Sequence, residues 1–358
     1  MKILYLMNIE WHWIKQRPHY IAEGLSENDT VFVYYPYSWH RQGKGYVENA
    51  TDRFTPRRYF NIPFIYRSAF LNKLNTLYLR AFFALVILFK RPDVIWIAKP
   101  QDIDYIPRNV RARIVYDCMD DHYSMQGDEN ILRCEKLLTQ RCGAVFASSI
   151  SLMDKLRSRY GLCENVHLIR NGYNPSLGAL PEYRPSKETF DLCYVGTVSS
   201  WFDFGLMEKI LDRFENVRIN IIGPVEAVIS DEAEKLAKDS RVKFFGSVEH
   251  SKLPEYIGDS DCFLLPFQIN DIIRSVDPVK LYEYISFGRN ILSVHYEEID
   301  RFEPFVYFYD NCGEALAQLE KMMKEPALRY SKEKADEFLK DNTWKSRVEA
   351  VESILASL

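Results

Sequence analysis

Paired cysteines are missing from this sequence of 358 residues. Its seven cysteines form no Cys-x-x-Cys motif, and no cluster of histidine and cysteine has the spacing of a zinc site. An odd number of unpaired cysteines is typical of reduced thiols in a cytoplasmic protein. Glycine and proline are also scarce, with 15 and 16 residues, which excludes collagen-like and low-complexity chains.

Long hydrophobic runs are missing as well. The longest, residues 81–89, is far shorter than the ~20 residues that a membrane span needs. The amino terminus has neither a long apolar stretch nor a cleavage site, so it predicts a first strand and no signal peptide. The net charge of −4 argues against a nucleic-acid partner. We therefore expect a cytoplasmic protein without a transmembrane anchor.

The sequence does contain a regular alternation of short apolar strands and helical stretches. Continuous hydrophobic runs predict parallel strands covered by helices on both faces. They lie at 3–7, 30–35, 94–98, 114–118, 144–147, 166–169, 192–195, 218–222, 242–245, 262–266, 291–294 and 305–309. The predicted fold class is α/β, with two Rossmann-like doubly wound domains facing a cleft where ligands bind.

A break in this alternation divides the chain. Prolines and a glycine fill a stretch without helical or alternating period, which indicates a linker. We predict one domain over residues 1–174, a linker over 175–189 and a second domain over 190–341. Residues 342–358 form an amphipathic helix that we expect to return to the first domain.

The most informative segment is residues 275–288, Ser-Val-Asp-Pro-Val-Lys-Leu-Tyr-Glu-Tyr-Ile-Ser-Phe-Gly. Asp277 is suited to cap a helix, Pro278 to its first position and the final glycine to its end. Amides at such a helix start, with Lys280 beside them, would bind a diphosphate. Glu283, one turn further on the same face, could accept hydrogen bonds from two ribose hydroxyls. An ordinary capped helix with a surface Lys280–Glu283 pair explains the pattern equally well.

The segment resembles the donor-site helix of GT-B glycosyltransferases. It is especially similar to bacterial surface-polysaccharide enzymes such as the teichuronic acid and xanthan glucuronosyltransferase groups. Further motifs match the same pattern in order along nearly the whole chain. They are Gln16-Arg17-Pro18-His19, Tyr116-Asp117-Cys118-Met119-Asp120-Asp121, Asn171-Gly172-Tyr173-Asn174, Tyr194-Val195-Gly196-Thr197 and Phe245-Gly246-Ser247-Val248. The resemblance implies the GT-B fold, with an acceptor-binding first domain and a nucleotide-sugar-binding second domain.

For the donor, the resemblance implies that Glu283 binds the ribose and Lys280 the phosphates. Tyr282 belongs to the same donor-binding segment, and Asp277 either contacts the sugar or caps the helix. The main chain near Val248 would read the nucleobase, with residues 266–267 as part of the wall. UDP-sugar is the expected donor, and no cofactor is expected.

The loop after the first strand of the second domain begins with Gly196 and Thr197. A small, flexible loop lets backbone amides and hydroxyls approach a phosphate closely. A plain strand-to-helix turn is an equal explanation of the same residues.

The catalytic base is expected in the first domain, where a strand ends in Asp120, Asp121 and His122. Such side chains face the ligand-binding edge of the sheet, and an inverting transfer needs a base for the acceptor hydroxyl. Retaining GT-B enzymes commonly carry a glutamate at the position of Ser275, so the sequence favours inversion. We predict that Asp120 or Asp121 is the base; a helix cap is the alternative for each.

Acceptor-binding candidates follow the first strand and the Asp120-Asp121 pair. Trp11 and His12 combine a ring with a polar group, which suits a sugar or a lipid-linked acceptor, although Trp11 is equally suited to packing. His122 and, through the resemblance alone, Arg17 complete the predicted acceptor site.

Two Asp-x-Asp triplets, at 102–104 and 259–261, have the form of a cation site. The second precedes a strand and predicts a turn, and solvated loop carboxylates explain the first. We predict no metal requirement.

Residues 71–89 form a helical stretch with a heavy apolar load and basic residues on both sides, at 57, 58, 67, 73, 80, 90 and 91. One interpretation is peripheral contact with the inner face of the cell membrane, where a lipid-linked acceptor resides. The other is a buried helix with snorkelling basic ends.

Together these patterns predict a metal-independent, hexosyltransferase-type enzyme of surface-polysaccharide assembly. It would move a sugar from a nucleotide diphosphate-sugar to a hydroxyl of a lipid-linked or oligosaccharide acceptor. A nucleotide-sugar epimerase on the same fold and a non-catalytic two-lobed sugar-binding protein are the alternatives.

Overall fold

The computed structural model describes residues 1–37, 49, 51–63, 68–161, 164–175, 180, 182–183, 188–249 and 252–358. They form two compact units. The first contains Met1–Asn171 with Trp344–Leu358, and the second contains Gly172–Thr343. Most of the predicted linker 175–189, and Arg67 of the basic set, lie outside the described residues.

The first unit is built on seven parallel strands in the order β3-β2-β1-β4-β5-β6-β7. Their bounds are β1 Lys2–Leu6, β2 Thr30–Pro36, β3 Arg57–Tyr59, β4 Val94–Ile97, β5 Arg113–Cys118, β6 Cys142–Ala147 and β7 Val166–Leu168. All four residues of β4 are buried, as expected for a parallel strand with helices on both faces.

The helices of the first unit include one from the end of the sequence. They are α1 Arg17–Leu25, α2 Ala69–Lys90, α3 His122–Gln126, α4 Glu129–Arg141, α5 Ile150–Tyr160 and α12 Trp344–Ser357, with a 3₁₀ helix at Pro100–Tyr105. The rings of Tyr20 in α1 and Trp344 in α12 stack with centroids 4.9 Å apart. A methyl group on Gly24 would lie 2.4 Å from Val348, so α12 packs tightly on α1. The last helix belongs to the first unit, as predicted.

Helix α2 differs from the other helices in length and exposure. Its 22 residues make it long and apolar enough to cross a membrane by length and composition alone, with a mean hydropathy of 1.3. The apolar character continues before the run 81–89, where apolar residues are interspersed with Lys73 and Arg80. The absence of a transmembrane anchor stays a prediction. Only Asn75, Leu79 and Phe83 of α2 are buried.

The second unit is built on six parallel strands in the order β10-β9-β8-β11-β12-β13. Numbered from β8 as one, this is the 3-2-1-4-5-6 order of dinucleotide-binding sheets. The strands are β8 Phe190–Val195, β9 Val217–Ile222, β10 Val242–Gly246, β11 Cys262–Leu265, β12 Asn290–Val294 and β13 Tyr307–Tyr309. The predicted α/β class with two Rossmann-like parallel sheets is confirmed.

The helices of the second unit connect these strands. They are α6 Phe204–Arg213, α7 Ser230–Leu236, α8 Leu253–Ile257, α9 Val279–Ser286, α10 Cys312–Lys324 and α11 Lys332–Lys340. Short 3₁₀ helices lie at Ala227–Ile229, Ile273–Ser275 and Glu297–Phe302.

Candidate active site

The strand order of the second unit reverses between β8 and β11, the point at which doubly wound sheets bind ligands. Lys280, in the first turn of α9, extends to this point. Its Nζ lies 5.9 Å from the ring centroid of Tyr194 in β8 and 5.8 Å from that of Phe267, which follows β11. The ammonium group is therefore at the switch point of the sheet.

Two glycines create the space for Lys280. A methyl group on Gly196 would lie 2.1 Å from Lys280 Cε and 2.8 Å from its Nζ. A methyl group on Gly223 would lie 2.1 Å from the carbonyl oxygen of Gly196. Both have φ values that side chains rarely adopt, +146° and +143°. The loops after β8 and β9 and the Lys280 side chain can meet here only because both positions are glycine.

Two amides of this loop donate hydrogen bonds to β9 and the loop that follows it. Gly196 N–H donates to Ile222 at 2.8 Å and Val198 N–H to Pro224 at 2.9 Å, while the Thr197 carbonyl accepts a 2.8 Å bond from the Tyr194 hydroxyl. The Gly196 and Val198 amides therefore donate within the protein, and the assignment of Gly196 and Thr197 to the donor stays a prediction. The absence of a side chain at Gly196 leaves the space that the Lys280 side chain occupies.

Helix α9 begins one residue later than predicted. Its N-cap is Pro278, with no side-chain cap, so the prediction that Asp277 caps it is wrong. Lys280 is in the first turn, and burial lowers the pKa of its ammonium group, an effect that the Glu283 carboxylate opposes. Glu283 is partly buried one turn further along. The helix ends at Ser286, and Gly288, the predicted terminating glycine, follows its C-cap with a φ of +64°.

Asp277 and Tyr282 point into the protein. Both are fully enclosed: Asp277 forms an ion pair with Arg301, and the Tyr282 hydroxyl donates to the Asp277 carboxylate at 3.2 Å. Arg301 also donates to the Tyr282 hydroxyl at 2.6 Å. Their assignment as direct donor-binding residues is not supported by these contacts, which instead fix the start of α9.

A second tyrosine anchors the same helix to β8. The Tyr284 hydroxyl accepts the Val195 N–H at 2.9 Å, and its ring stacks on Phe263 with centroids 4.5 Å apart. Tyr282 and Tyr284 thus fix α9 from two sides, while Glu283 between them stays partly exposed. We call Gly196, Gly223, Lys280 and Glu283 the candidate donor site.

Val248, the predicted nucleobase contact, follows β10. It is partly buried against the core of the second unit, and Gly246 before it has a φ of +67°. The Gly246 carbonyl accepts the N–H of Gly223 at 2.8 Å. The loop that contains Val248 is therefore joined to the candidate donor site through Gly223.

In the first unit the strand order reverses between β1 and β4. Asn8 follows β1, Gln101 lies in the 3₁₀ helix that follows β4, and Asp120 follows the neighbouring strand β5. Within the described residues, the buried side-chain oxygens of Asn8 and Gln101 have no hydrogen-bond partner. Burial raises the pKa of Asp120, and His122 opposes this. These groups could accept protons or hydrogen bonds from a bound hydroxyl-rich ligand.

Asp121 has a different environment from Asp120. Its side chain caps α3 and accepts from Lys155 at 2.9 Å and from Arg159 at 3.1 Å. Although burial alone would raise the pKa of Asp121, hydrogen bonds from Arg159 and Lys155 hold it well below the usual range. An acid held ionised in this way is a weak base, so of the two candidates Asp120 has the properties that catalysis requires.

Three of the four predicted acceptor-binding residues are buried. Trp11 is buried, and its Nε1–H donates to the Asn49 carbonyl at 2.6 Å. Arg17 is buried and donates to Asp117 at 2.7 and 3.0 Å. His122 is buried, with Nε2 3.2 Å from the Ala98 carbonyl oxygen.

The assignments of Trp11 and Arg17 to the acceptor are therefore corrected. Arg17 Nη1 also donates to Ile169 at 2.7 Å, so it joins α1 to the end of the first sheet. His12 is partly exposed, and its ring meets that of Tyr35 edge-on with centroids 6.4 Å apart. Of the original acceptor set, His12 has the most accessible side chain.

The Asp-x-Asp triplets do not form a cation site. Asp102 is buried, contrary to the expected solvated loop, and Asp104 pairs with Arg133. The side chain of Asp261 accepts the Asp191 N–H at 2.8 Å. Over the parts of the chain that the structure describes, no group of three or more His, Cys, Asp or Glu could hold a metal ion.

Solved structures with the same architecture cover the whole chain. Sucrose-phosphate synthase of Thermosynechococcus elongatus matches with a TM-score of 0.80 at 12% identity, over 99% of this chain and 98% of its own. HepE of Anabaena, in complex with UDP and glucose, matches with a TM-score of 0.76 at 15% identity over 100% of both chains. The chain has the GT-B fold. A third GT-B neighbour, an E. coli trehalose-6-phosphate protein bound with UDP-2-fluoro glucose, matches with a TM-score of 0.73 at 13% identity over 100% of this chain and 99% of its own.

One curated relative agrees with the GT-B assignment. It is TuaH of Bacillus subtilis, named for a glycosyltransferase of teichuronic acid biosynthesis, and is 21% identical over 254 residues. The match covers 65% of this chain and 64% of TuaH, so the chain spans less than two thirds of that relative. No model of a protein family matches the sequence. The predicted resemblance to GT-B enzymes of the teichuronic acid type is confirmed.

Sequence reasoning missed four residues of this GT-B chain. Gly223 follows β9 as Gly196 follows β8, and that repeated position was a usable signal. Asn8 and Gln101 lie just beyond predicted strands of the first unit, where ligand-binding residues are common. Arg301 lies 24 residues after its partner Asp277, and no local pattern joins the two.

Proposed function

We propose that the chain is a glycosyltransferase that moves a sugar from a nucleotide diphosphate-sugar to an acceptor hydroxyl. The observation that carries the proposal is the position of Lys280 against Gly196 at the switch point of a Rossmann-order sheet. A cation and the amino terminus of a helix at this point suit a diphosphate. Glu283, one turn along α9, suits the ribose hydroxyls.

UDP-sugar is the proposed donor class. HepE was solved with UDP and glucose, and the trehalose-6-phosphate protein with UDP-2-fluoro glucose. These ligands belong to those proteins, and the shared fold supports testing them first here. The loop of Val248 is the proposed nucleobase contact, because it joins the candidate donor site through Gly223.

The leaving diphosphate is stabilised without a metal ion in this proposal. Lys280 supplies a full positive charge, and the first turn of α9 supplies the partial positive charge of a helix amino terminus. Charges fixed before the reaction need no reorganisation when negative charge develops on the leaving oxygen. Addition of EDTA is therefore expected to leave the initial rate unchanged.

Inversion is the proposed stereochemical course, with Asp120 as the base. Ser275 takes the position where retaining relatives commonly have a glutamate, and its hydroxyl donates to the Asp271 carbonyl at 3.2 Å. The raised pKa of Asp120 brings that carboxylate closer to the ideal for proton abstraction near neutral pH. His12 and His122, with Asn8 and Gln101, are proposed to contact the acceptor.

The proposed acceptor is a lipid-linked or free oligosaccharide of bacterial surface-polysaccharide assembly. The name of TuaH supports this class. The proposed location is the cytoplasm, where nucleotide-sugars are made available to such enzymes.

The decisive experiment measures nucleoside diphosphate release from UDP-, GDP-, TDP- and ADP-sugars, with and without oligosaccharide acceptors. Release that requires both substrates, and that Glu283→Ala reduces at least tenfold, supports the proposal. Isomerisation of the nucleotide-sugar without an acceptor would indicate an epimerase, and binding without release a sugar-binding protein. NMR of the product's anomeric proton then decides between inversion and retention.

A further inference from the structure

One face of helix α2 is an exposed apolar stripe. Phe70, Leu77, Leu88 and Phe89 have 74%, 65%, 63% and 79% of their surface exposed. Residues 70, 74, 77, 81, 85 and 88 recur every three or four positions, which places them along one side of the helix. We define the α2 stripe as Phe70, Leu74, Leu77, Tyr78, Leu85, Leu88 and Phe89. Contiguous exposed apolar surface of this kind marks an interaction site.

The opposite face of α2 is firmly docked on the first unit. Asn75 accepts the Ile62 N–H at 2.8 Å and donates to Asn61 at 3.0 Å. Phe83 is fully buried, with its ring centroid 5.4 Å from that of Tyr59. These contacts fix the direction of the stripe. They also mean that α2 cannot leave the sheet without exposing part of the core.

The charges on helix α2 itself have one sign. Helix α2 contains Lys73, Arg80 and Lys90 and no acidic residue. Lys73 and Arg80 are exposed on the flank of the stripe, since both lie within one turn of Leu77. Arg91 follows the helix and is exposed as well. The surface therefore combines apolar side chains with a cationic border.

We propose that the α2 stripe is a membrane-binding surface that lies in the plane of an anionic phospholipid bilayer. A helix of 22 residues is roughly 33 Å long, and its apolar side chains would enter the boundary between headgroups and acyl chains. Lys73, Arg80 and Arg91 would contact lipid phosphates. The helix lies on the membrane without crossing it, because Asn75, Leu79 and Phe83 remain packed against the protein.

The charge pattern favours lipid over a second copy of the chain. Pairing two α2 stripes would bring the same cations together without an acidic partner on either helix, and like charges at an interface oppose association. An anionic lipid surface supplies the missing negative charge over the whole length of the helix.

This surface gives the proposed acceptor a location. If the acceptor is lipid-linked, which rests on the proposed function, binding through α2 would bring the first unit to the membrane that contains it. The membrane contact itself does not depend on transferase activity, and the two are measured separately.

The test is flotation of the full chain with vesicles of phosphatidylcholine alone or with phosphatidylglycerol added. We expect binding to the mixed vesicles that falls at high salt. The double variant Leu77→Glu/Leu88→Glu should bind at least about tenfold more weakly. The matched control is Val228→Glu/Leu328→Glu, which adds the same charge at exposed apolar positions of the second unit and should float like the wild type.

Three results would overturn the proposal: unchanged flotation of the Leu77→Glu/Leu88→Glu variant, equal binding to neutral vesicles, or a salt-stable dimer in solution that the double variant dissolves. Resistance of the bound protein to alkaline carbonate would contradict the in-plane arrangement. Circular dichroism and UDP affinity are measured for each variant. A folded double variant that keeps UDP affinity and loses flotation separates this surface from the donor site.

Discussion

The side chain of Lys280 occupies the place where residue 196 would have its Cβ atom. A methyl group on Gly196 would lie 2.1 Å from Lys280 Cε, so the two residues cannot both have side chains at this point. Because residue 196 has no side chain, the Lys280 ammonium group of α9 can reach the point between β8 and β11 where the strand order reverses.

Replacing Lys280 with methionine keeps the length of the side chain and removes its charge. We expect the affinity for UDP and UDP-glucose to fall by roughly 10- to 100-fold, since charge-assisted hydrogen bonds contribute about 1.5–3 kcal/mol. Calorimetric titration measures this change. The control is Lys321→Met on the exposed surface of α10, and an equal loss in both variants would contradict the assignment.

Gly196→Ala should displace Lys280. We expect loss of UDP affinity similar to that of Lys280→Met, together with lower thermal stability, because the methyl group meets Lys280 and φ is +146°. Gly127→Ala is the control: its φ is +64°, but no atom lies within 4 Å of the added methyl group. That variant should lose stability and retain UDP affinity.

Asp120 should determine the acidic limb of the pH–rate profile. A base acts when deprotonated, so kcat/KM should fall as pH decreases through the pKa of Asp120, which burial raises above the usual value. Asp120→Asn should lower kcat by at least ~100-fold and abolish that limb. Asp121→Asn can still cap α3 but removes the charge paired with Lys155 and Arg159, so it should reduce stability and keep the limb. The opposite pattern would assign the base to Asp121.

The buried ion pair of Asp277 and Arg301 should stabilise the second unit. Asp277→Asn removes the closer of the two carboxylates paired with Arg301, the other being Glu298 at 3.7 Å, and we expect a loss of about 2–4 kcal/mol in the free energy of unfolding. Combining it with Arg301→Met should cost less than the sum of the single changes. Urea denaturation of the wild type, the two single variants and the double variant measures the free energies of unfolding that this comparison needs. Strict additivity would show that the pair is not coupled.

Asp102 should make the protein less stable as the pH rises from about 4 to about 7. Burial raises the pKa of Asp102 to about 7, against the opposing charge of Lys99. Between pH 4 and 7 the unfolded chain releases this proton while the folded state retains it, so stability falls by a few kcal/mol and then levels off. Asp102→Asn should therefore raise stability more at pH 8 than at pH 4.5. Asp104→Asn is the control.

Much of the fold could be predicted because its signals are local. The twelve predicted strands all correspond to observed strands. Strand β3 was missed: three residues at the edge of a sheet produce no hydrophobic run. The helical stretch predicted over 71–89 corresponds to α2, which begins two residues earlier and ends one residue later.

The candidate site was predictable where one segment contains it, as in α9. The roles of the other candidate residues depend on tertiary contacts that no local sequence pattern shows. Asp277 has the residue type of a cap, but its ion pair with the distant Arg301 takes its side chain elsewhere. Trp11 has the residue type of a sugar-stacking group, yet it is buried next to Phe54, with ring centroids 5.3 Å apart. Asp120 and Asp121 are neighbours in sequence, and only the positions of Lys155 and Arg159 separate their chemistry.

The packing of α12 on α1 has a consequence for the order of folding. Trp344 and Val348 complete the surface around Tyr20 and Gly24, but the ribosome makes them only after all of Gly172–Thr343. The second unit is therefore inserted between two pieces of the first and can fold during synthesis while the first still lacks a helix. Nascent chains stalled before Trp344 should contain a protease-resistant second unit and a first unit that is still readily cleaved.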